Sequence, residues 1–255
     1  MLFDTHAHYD DEKFEKDRNE VILKAHASGV DYILNAACNI SSAVECIALS
    51  QEYDFIYAAV GIHPHNVEDL NDNTITTLAD FAKRSKVVAI GEIGLDYYYD
   101  HAPREVQKYW FARQIELARS IDLPIIVHNR DAHEDSMNII KTENAKSVGG
   151  VFHCYSGSVE MARELLNQNF YISVGGAVTF KNAVKILEVV KFVPMDRLLI
   201  ETDCPYLTPE PHRGKRNDSS YVRLVAEKIA EIKGKSFEEI AEITAQNGKT
   251  LFEIK

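Results

Sequence analysis

The sequence predicts a TIM-type (β/α)8 barrel, and three observations lead there. Eight short apolar runs alternate with stretches of helical periodicity along the chain, the pattern of successive parallel βαβ units. The 255 residues suit one such barrel, which typically takes about 250. No Gly-x-Gly-x-x-Gly follows the first apolar run, which argues against an open, doubly wound dinucleotide-binding sheet. No linker, low-complexity segment or sequence repeat divides the chain, so residues 1–255 read as one domain.

The elements follow in order. Leu2 and Phe3 open a strand that runs to His8. Residues 14–28 read as a helix with Val21, Ile22 and Ala25 at helical spacing, ended by Gly29. Residues 30–37 form the second strand, and Ser41 is the expected cap of a helix reaching about Tyr53. The third strand covers 55–62, a looser helix 74–84, and the fourth strand 87–93. A long helix over 104–122 carries the only tryptophan, Trp110. Strands are then expected at 124–128, 150–153, 170–174 and 198–202. Helices are expected at 133–142, 158–168, 180–190, 221–233 and 236–252.

Composition narrows the function. Hydrophobic residues make up 45% of the chain, enough for a sizeable core, and no apolar run approaches a membrane span. The apolar start is interrupted at Asp4 and His6, unlike a signal peptide. Cys38, Cys46, Cys154 and Cys204 show no Cys-x-x-Cys spacing, the usage of free thiols in a reducing cytoplasm. The formal charge of −11 argues against a surface that coats nucleic acid. It leaves room for an enzyme that grips a few phosphates locally.

Six residues carry the chemistry. His6 and His8 alternate onto one face of the first strand, about 7 Å apart along it, within reach of one metal ion. Glu92 lies near the end of the fourth strand, His128 and His153 end the fifth and sixth, and Asp203 follows the eighth. In a parallel barrel all strand C-termini meet at the face where active sites sit. Six donors exceed the needs of one ion. Two divalent ions are the economical arrangement, with His6, His8 and Asp203 on one, His128 and His153 on the other, and Glu92 bridging. Asp203 is then placed to take the proton of the attacking water. Histidine and carboxylate donors admit Zn, Mn, Mg, Fe or Ni.

The segments Asp4-Thr-His-Ala-His8, Gly61-Ile-His-Pro-His65, Gly91-Glu-Ile-Gly-Leu-Asp96, His128-Asn-Arg-Asp131, His153-Cys-Tyr-Ser-Gly157 and Glu201-Thr-Asp-Cys-Pro205 follow one another in order. Together they resemble the TatD family of metal-dependent DNases, within the amidohydrolase superfamily. The resemblance extends to Arg213-Gly-Lys-Arg-Asn217, after which the family usually has Glu-Pro and this chain has Asp218-Ser219. It implies a TIM barrel, divalent metals on the same six residues, and hydrolysis of DNA phosphodiesters. Single-stranded or frayed 3′ ends are the expected substrate, since the acidic net charge suits a pocket reading one terminus better than a groove wrapping duplex. Hydrolysis of a cyclic amide, a lactone or an aminoacyl ester on tRNA is the rival chemistry for such a site. A non-catalytic metal-binding protein is the rival from another class. Oligomeric state is open at this level, a monomer included.

Further residues surround this set. His63 and His65 follow the third strand and are candidate phosphate contacts, His63 with the support of the resemblance. Arg213 lies in a basic loop with Lys215 and Arg216 after the eighth strand, where barrel enzymes often bind phosphate. Arg130 is a similar candidate, or the partner of Asp131. Tyr97, Tyr98 and Tyr99 could stack on a base, although packing is the commoner fate of such residues. Glu201, Cys154 and Cys204 alternate away from the metal face and read as supporting or packed residues.

Overall fold

In the computed structural model, which describes residues 1–255, eight parallel strands form one sheet in chain order. They are β1 (Phe3–Ala7), β2 (Tyr32–Ala36), β3 (Ile56–Val60), β4 (Val87–Asp96), β5 (Ile125–Arg130), β6 (Gly150–Phe152), β7 (Phe170–Val174) and β8 (Leu198–Ile200). A parallel bridge between Ala7 and Cys204 joins the end of β1 to the segment after β8. The helices are α1 (Arg18–Ala27), α2 (Ile40–Glu52), α3 (Asp72–Phe81), α4 (Arg104–Ser120), α5 (His133–Thr142), α6 (Val159–Asn167), α7 (Val184–Phe192), α8 (Val222–Lys233) and α9 (Phe237–Leu251). The fold is the expected TIM barrel.

By its contacts the chain divides into two compact units. The first comprises residues 1–35, 154–163 and 172–255. Here β1 and β8 are buried throughout, as expected for parallel strands covered on both faces. Helix α9 packs on both strands, and Asn247 on it donates to the carbonyls of Met195 and Leu198. A capping box at Ser236 and Glu239 starts this helix, worth about 1 kcal/mol by the usual cost of losing an N-cap.

The second unit comprises residues 36–153 and 164–171 and contains β3 to β6. Two buried glutamines of α4 hold backbone at the ends of β3 and β4 in place. Gln114 donates to the carbonyl of Ile62 and accepts from its N–H, and Gln107 does the same for Asp96. Buried backbone groups that lack a strand partner need such replacements.

Some boundaries differ from the sequence reading for identifiable reasons. Helix α1 starts at Arg18, because residues 12–14 form a short 3-10 turn capped by Asp11, with Phe14 buried. Helix α2 is capped by Asn39, whose side chain accepts from Ser42 N, rather than by Ser41. Residues 176–179 make another 3-10 turn, so α7 begins at Val184. Strand β4 continues past Ile93 to Asp96, in register with β5 down to Asp96–Arg130. Gly94 allows this. Its φ is +144°, and a Cβ there would sit 2.0 Å from the His128 carbonyl oxygen.

Candidate metal centre and active site

Two clusters of histidine and carboxylate side chains form, one in each unit, each at the C-terminal ends of its strands.

In the first unit, alternation along β1 carries His6 and His8 onto one side. Their Nε2 atoms approach to 3.1 Å, and both rings are buried. Asp203 N donates to the His6 carbonyl and His8 N to that of Cys204, which aligns the segment after β8 with the end of β1. Asp203 Oδ1 then lies 3.3 Å from His8 Nε2 and 3.9 Å from His6 Nε2. One nitrogen from each histidine and one oxygen from Asp203 can face a single metal ion.

Asp4 shares the parity of His6 and His8 and lies wholly buried beneath them. Burial pushes its carboxyl up to about 7, against hydrogen bonds from Ser219, Thr202 and the His6 backbone that favour ionisation. Its oxygens accept Thr202 N at 2.8 Å, Thr202 Oγ1 at 2.6 Å and Ser219 Oγ at 2.6 Å. Asp4 thereby fixes the residue next to Asp203. Ser219, where the chain departs from the family's Glu-Pro, supplies one of these bonds, while Asp218 caps the turn at residues 219–221.

In the second unit Glu92 is the centre. Its Oε1 lies 2.7 Å from His128 Nδ1, 2.7 Å from His153 Nε2 and 3.5 Å from His63 Nε2. Burial opposes ionisation of Glu92, but charge on His153 and His63 and hydrogen bonds from His128 and His153 hold its pKa well below the usual carboxylate range. His128 turns its other nitrogen to Asp96, with Nε2 3.0 Å from Oδ2. Burial disfavours the charged ring, yet hydrogen bonds to Asp96 and Glu92 leave its pKa raised overall. Asp96 Oδ2 also takes His65 Nε2 at 3.0 Å. Burial again opposes ionisation of Asp96, and the bonds from His128 and His65 outweigh it, so the carboxyl stays ionised far below neutrality. A carboxylate behind a histidine in this way fixes its ring orientation and tautomer, as carboxylates commonly do for metal-ligating histidines.

The structure therefore groups His6, His8 and Asp203 in one cluster and Glu92, His128 and His153 in the other. It places His63 inside the second cluster, with its donor atom and those of Glu92 and His128 able to face one ion. His65 stands one step out, on Asp96 and edge-on to His101 at 4.7 Å. Arg213 is exposed over the Phe180 ring at 4.1 Å. Arg216 is committed to the Asp17 carboxylate, with contacts of 2.9 and 2.6 Å. Arg130 lies over the rings of Tyr98 and Tyr99, not against Asp131. Tyr97 packs, donating to Asp135 at 2.6 Å, whereas Tyr98 and Tyr99 stay exposed. Glu201 accepts from Cys154 N.

Sequence reasoning missed Asp96 and Asp4. A signal existed for both, since Asp96 lies four residues after Glu92 and Asp4 two before His6, on the same strand faces.

Comparison with known proteins agrees with this chemistry. The family model described as "TatD related DNase" matches residues 3–253. An uncharacterised metal-dependent hydrolase of Bacillus subtilis is 53% identical over 254 residues, covering all of both chains. A "3'-5' ssDNA/RNA exonuclease TatD" of Salmonella typhimurium is 31% identical over 99% of each chain. A crystal structure of a TatD homologue from Escherichia coli K12 superposes with a TM-score of 0.93 at 32% identity, covering 100% of this chain and 98% of the other. A solved organophosphorus hydrolase variant shares the fold, at 15% identity and a TM-score of 0.70. This chain belongs to the TatD family and is a metal-dependent hydrolase.

Proposed function

We propose that the chain hydrolyses phosphodiester bonds at the 3′ end of single-stranded DNA, with two divalent ions. The observation that carries this reading is the pair of nitrogen–oxygen donor clusters, each at strand C-termini, one containing Asp203. His6, His8 and Asp203 would hold one ion, and Glu92, His128 and His153 the other, with His63 beside them. The donor set fits, because neutral imidazoles and ionised carboxylates suit Zn, Mn, Fe or Ni, and carboxylates suit Mg. When bound, such ions polarise a phosphoryl oxygen and lower the pKa of water.

The chain's own residues do the rest. The Asp203 carboxylate takes a proton from the attacking water as the water oxygen bonds to phosphorus. One P–O ester bond breaks, and the leaving oxygen takes up a proton from solvent or from Asp203. Asp4 supports Asp203 through Thr202, and Asp96 holds the His128 ring. Arg213 contacts a phosphate along the strand. The naming of the Salmonella relative as a 3'-5' exonuclease of single-stranded DNA and RNA, and of the family as related to a DNase, supports this substrate over a lactone or an aminoacyl ester.

The test compares metal-stripped and reconstituted protein on end-labelled single-stranded DNA, aminoacyl-tRNA and a lactone. Shortening from the 3′ end is expected, with activity lost in chelator and restored by metal. Asp203→Asn should lower turnover by about 10²-fold or more, with its circular dichroism spectrum unchanged. Faster turnover of either rival substrate, or near-normal turnover of Asp203→Asn at full metal occupancy, overturns the respective part of the reading.

A further inference from the structure

We propose that Tyr98, Tyr99 and Arg130 form a stacking subsite for an unpaired nucleobase next to the phosphodiester under attack. This rests on the nucleic-acid reading above and names how that substrate is held.

Two large rings side by side in solvent need a reason. Tyr98 is 59% and Tyr99 52% exposed, whereas Tyr97 of the same loop is tied down by Asp135 and by Arg104, 4.2 Å above its ring. The rings of Tyr98 and Tyr99 lie 5.0 Å apart and nearly perpendicular. The Arg130 guanidinium sits 3.9 Å from the centre of one and 4.8 Å from the centre of the other. Two aromatic faces with a cation against them offer what a base needs for stacking and cation–π contact.

The placement of the loop is the second observation. Asp96 Oδ1 accepts the backbone N–H groups of Tyr98 and Tyr99, at 3.0 and 2.9 Å. Its other oxygen takes His65 and His128. One carboxylate thus holds both the ring-bearing turn and a histidine of the second cluster. Arg130 is two residues beyond His128 on β5. Tyr99 continues the contact, 5.4 Å from the His65 ring and stacked on His101 at 5.6 Å. A base on this platform therefore belongs to a nucleotide adjoining the one processed. Every base has a π-face and only an unpaired one can present it, so the subsite favours single strands without reading sequence.

The experiment uses metal-loaded protein and 5′-labelled oligonucleotides carrying either a normal base or an abasic residue at the terminal or penultimate position. Wild type should favour a base over the abasic residue by about 10-fold in kcat/KM at one of these positions, on the scale of one stacked base. Tyr98→Ala with Tyr99→Ala should erase that preference, chiefly through KM, and match wild type on the abasic strand. Tyr98→Phe with Tyr99→Phe should keep it, since the rings remain. Cleavage by wild type with no base preference, or equal losses on both substrates in the alanine variant, overturns the subsite and leaves the nuclease reading standing. Should wild type cleave neither strand, the nuclease reading fails. The subsite is then decided by quenching of 2-aminopurine fluorescence in a single-stranded oligonucleotide. Quenching lost in the alanine variant supports it, and quenching unchanged overturns it.

Discussion

A carboxylate one step behind a histidine decides how much of that histidine is useful, and Asp96 is the case here. Its oxygens are shared among His65, His128 and the backbone of Tyr98 and Tyr99, so one side chain aims two rings and a turn. Asp96→Asn keeps the shape but loses the charge and one accepting oxygen. It should lower kcat/KM or metal affinity by about 10- to 100-fold, the usual cost of removing such support. Folding should persist, because Gln107 and not the carboxylate holds the Asp96 backbone. Activity and metal content measured together on the purified variant check this, and a variant unchanged in both would remove Asp96 from the site. His6 and His8 were readable as a candidate pair in the sequence, because period-two spacing on a strand needs no knowledge of neighbours, and His128 and His153 because each ends an apolar run. For Asp96 and Asp4 the spacing marked the strand face but not the role, which depends on Thr202, Ser219 and His65, brought to them by register and loop closure. His63 read as a substrate contact for the same reason. Nothing in Gly-Ile-His-Pro-His shows that its ring meets Glu92.

At the scale of elements, the turn after β4 is braced between α4 and α5. Tyr97 Oη donates to Asp135 Oδ2 at 2.6 Å, and Lys108 Nζ lies 2.9 Å from the same oxygen. The hydrogen bonds from Tyr97 and Lys108 hold the Asp135 carboxyl below the usual carboxylate range. A depressed folded-state pKa gives stability that is full above the unfolded value, about 3.9, and is lost as pH falls through the folded value. Asp135→Asn should therefore lower Tm by a constant amount from about pH 8 to pH 5. The gap between wild type and variant should close once the pH drops below about 4. Thermal melts across that range check it, and a gap that widens in acid would contradict the assignment. Most elements were readable because helices such as α5 carry helical periodicity and strands such as β7 are short, wholly buried runs between polar segments. Misplaced ends came from local chemistry that periodicity does not report. Examples are the Asn39 cap, the 3-10 turns at residues 12–14 and 176–179, and the close approach at Gly94 that lets β4 run on to Asp96.

Over the whole molecule the charge balance sets how nucleic acid can be held. The chain carries −11, and its basic loop is smaller in effect than it reads, because Arg216 is already paired with Asp17. Arg213, exposed over Phe180, its exposed loop neighbour Lys215, and Arg130, on the two tyrosines, are left as cations for phosphates or bases. Two or three cationic contacts release few counterions, so log affinity for single-stranded DNA should fall with log salt at a slope of about −1 to −2. Arg213→Ala should flatten that slope by about one if its contact is a phosphate, and cost about 1–3 kcal/mol in kcat/KM on DNA, the range of a charged hydrogen bond. Tyr98→Ala should weaken binding at every salt concentration without changing the slope, because stacking by an uncharged ring displaces no ion. Fluorescence anisotropy with a labelled oligonucleotide across a salt series separates the two. A wild-type slope steeper than about −4 would mean that the acidic protein grips a long tract through cations beyond these. An unchanged slope in Arg213→Ala would return that loop to a structural role.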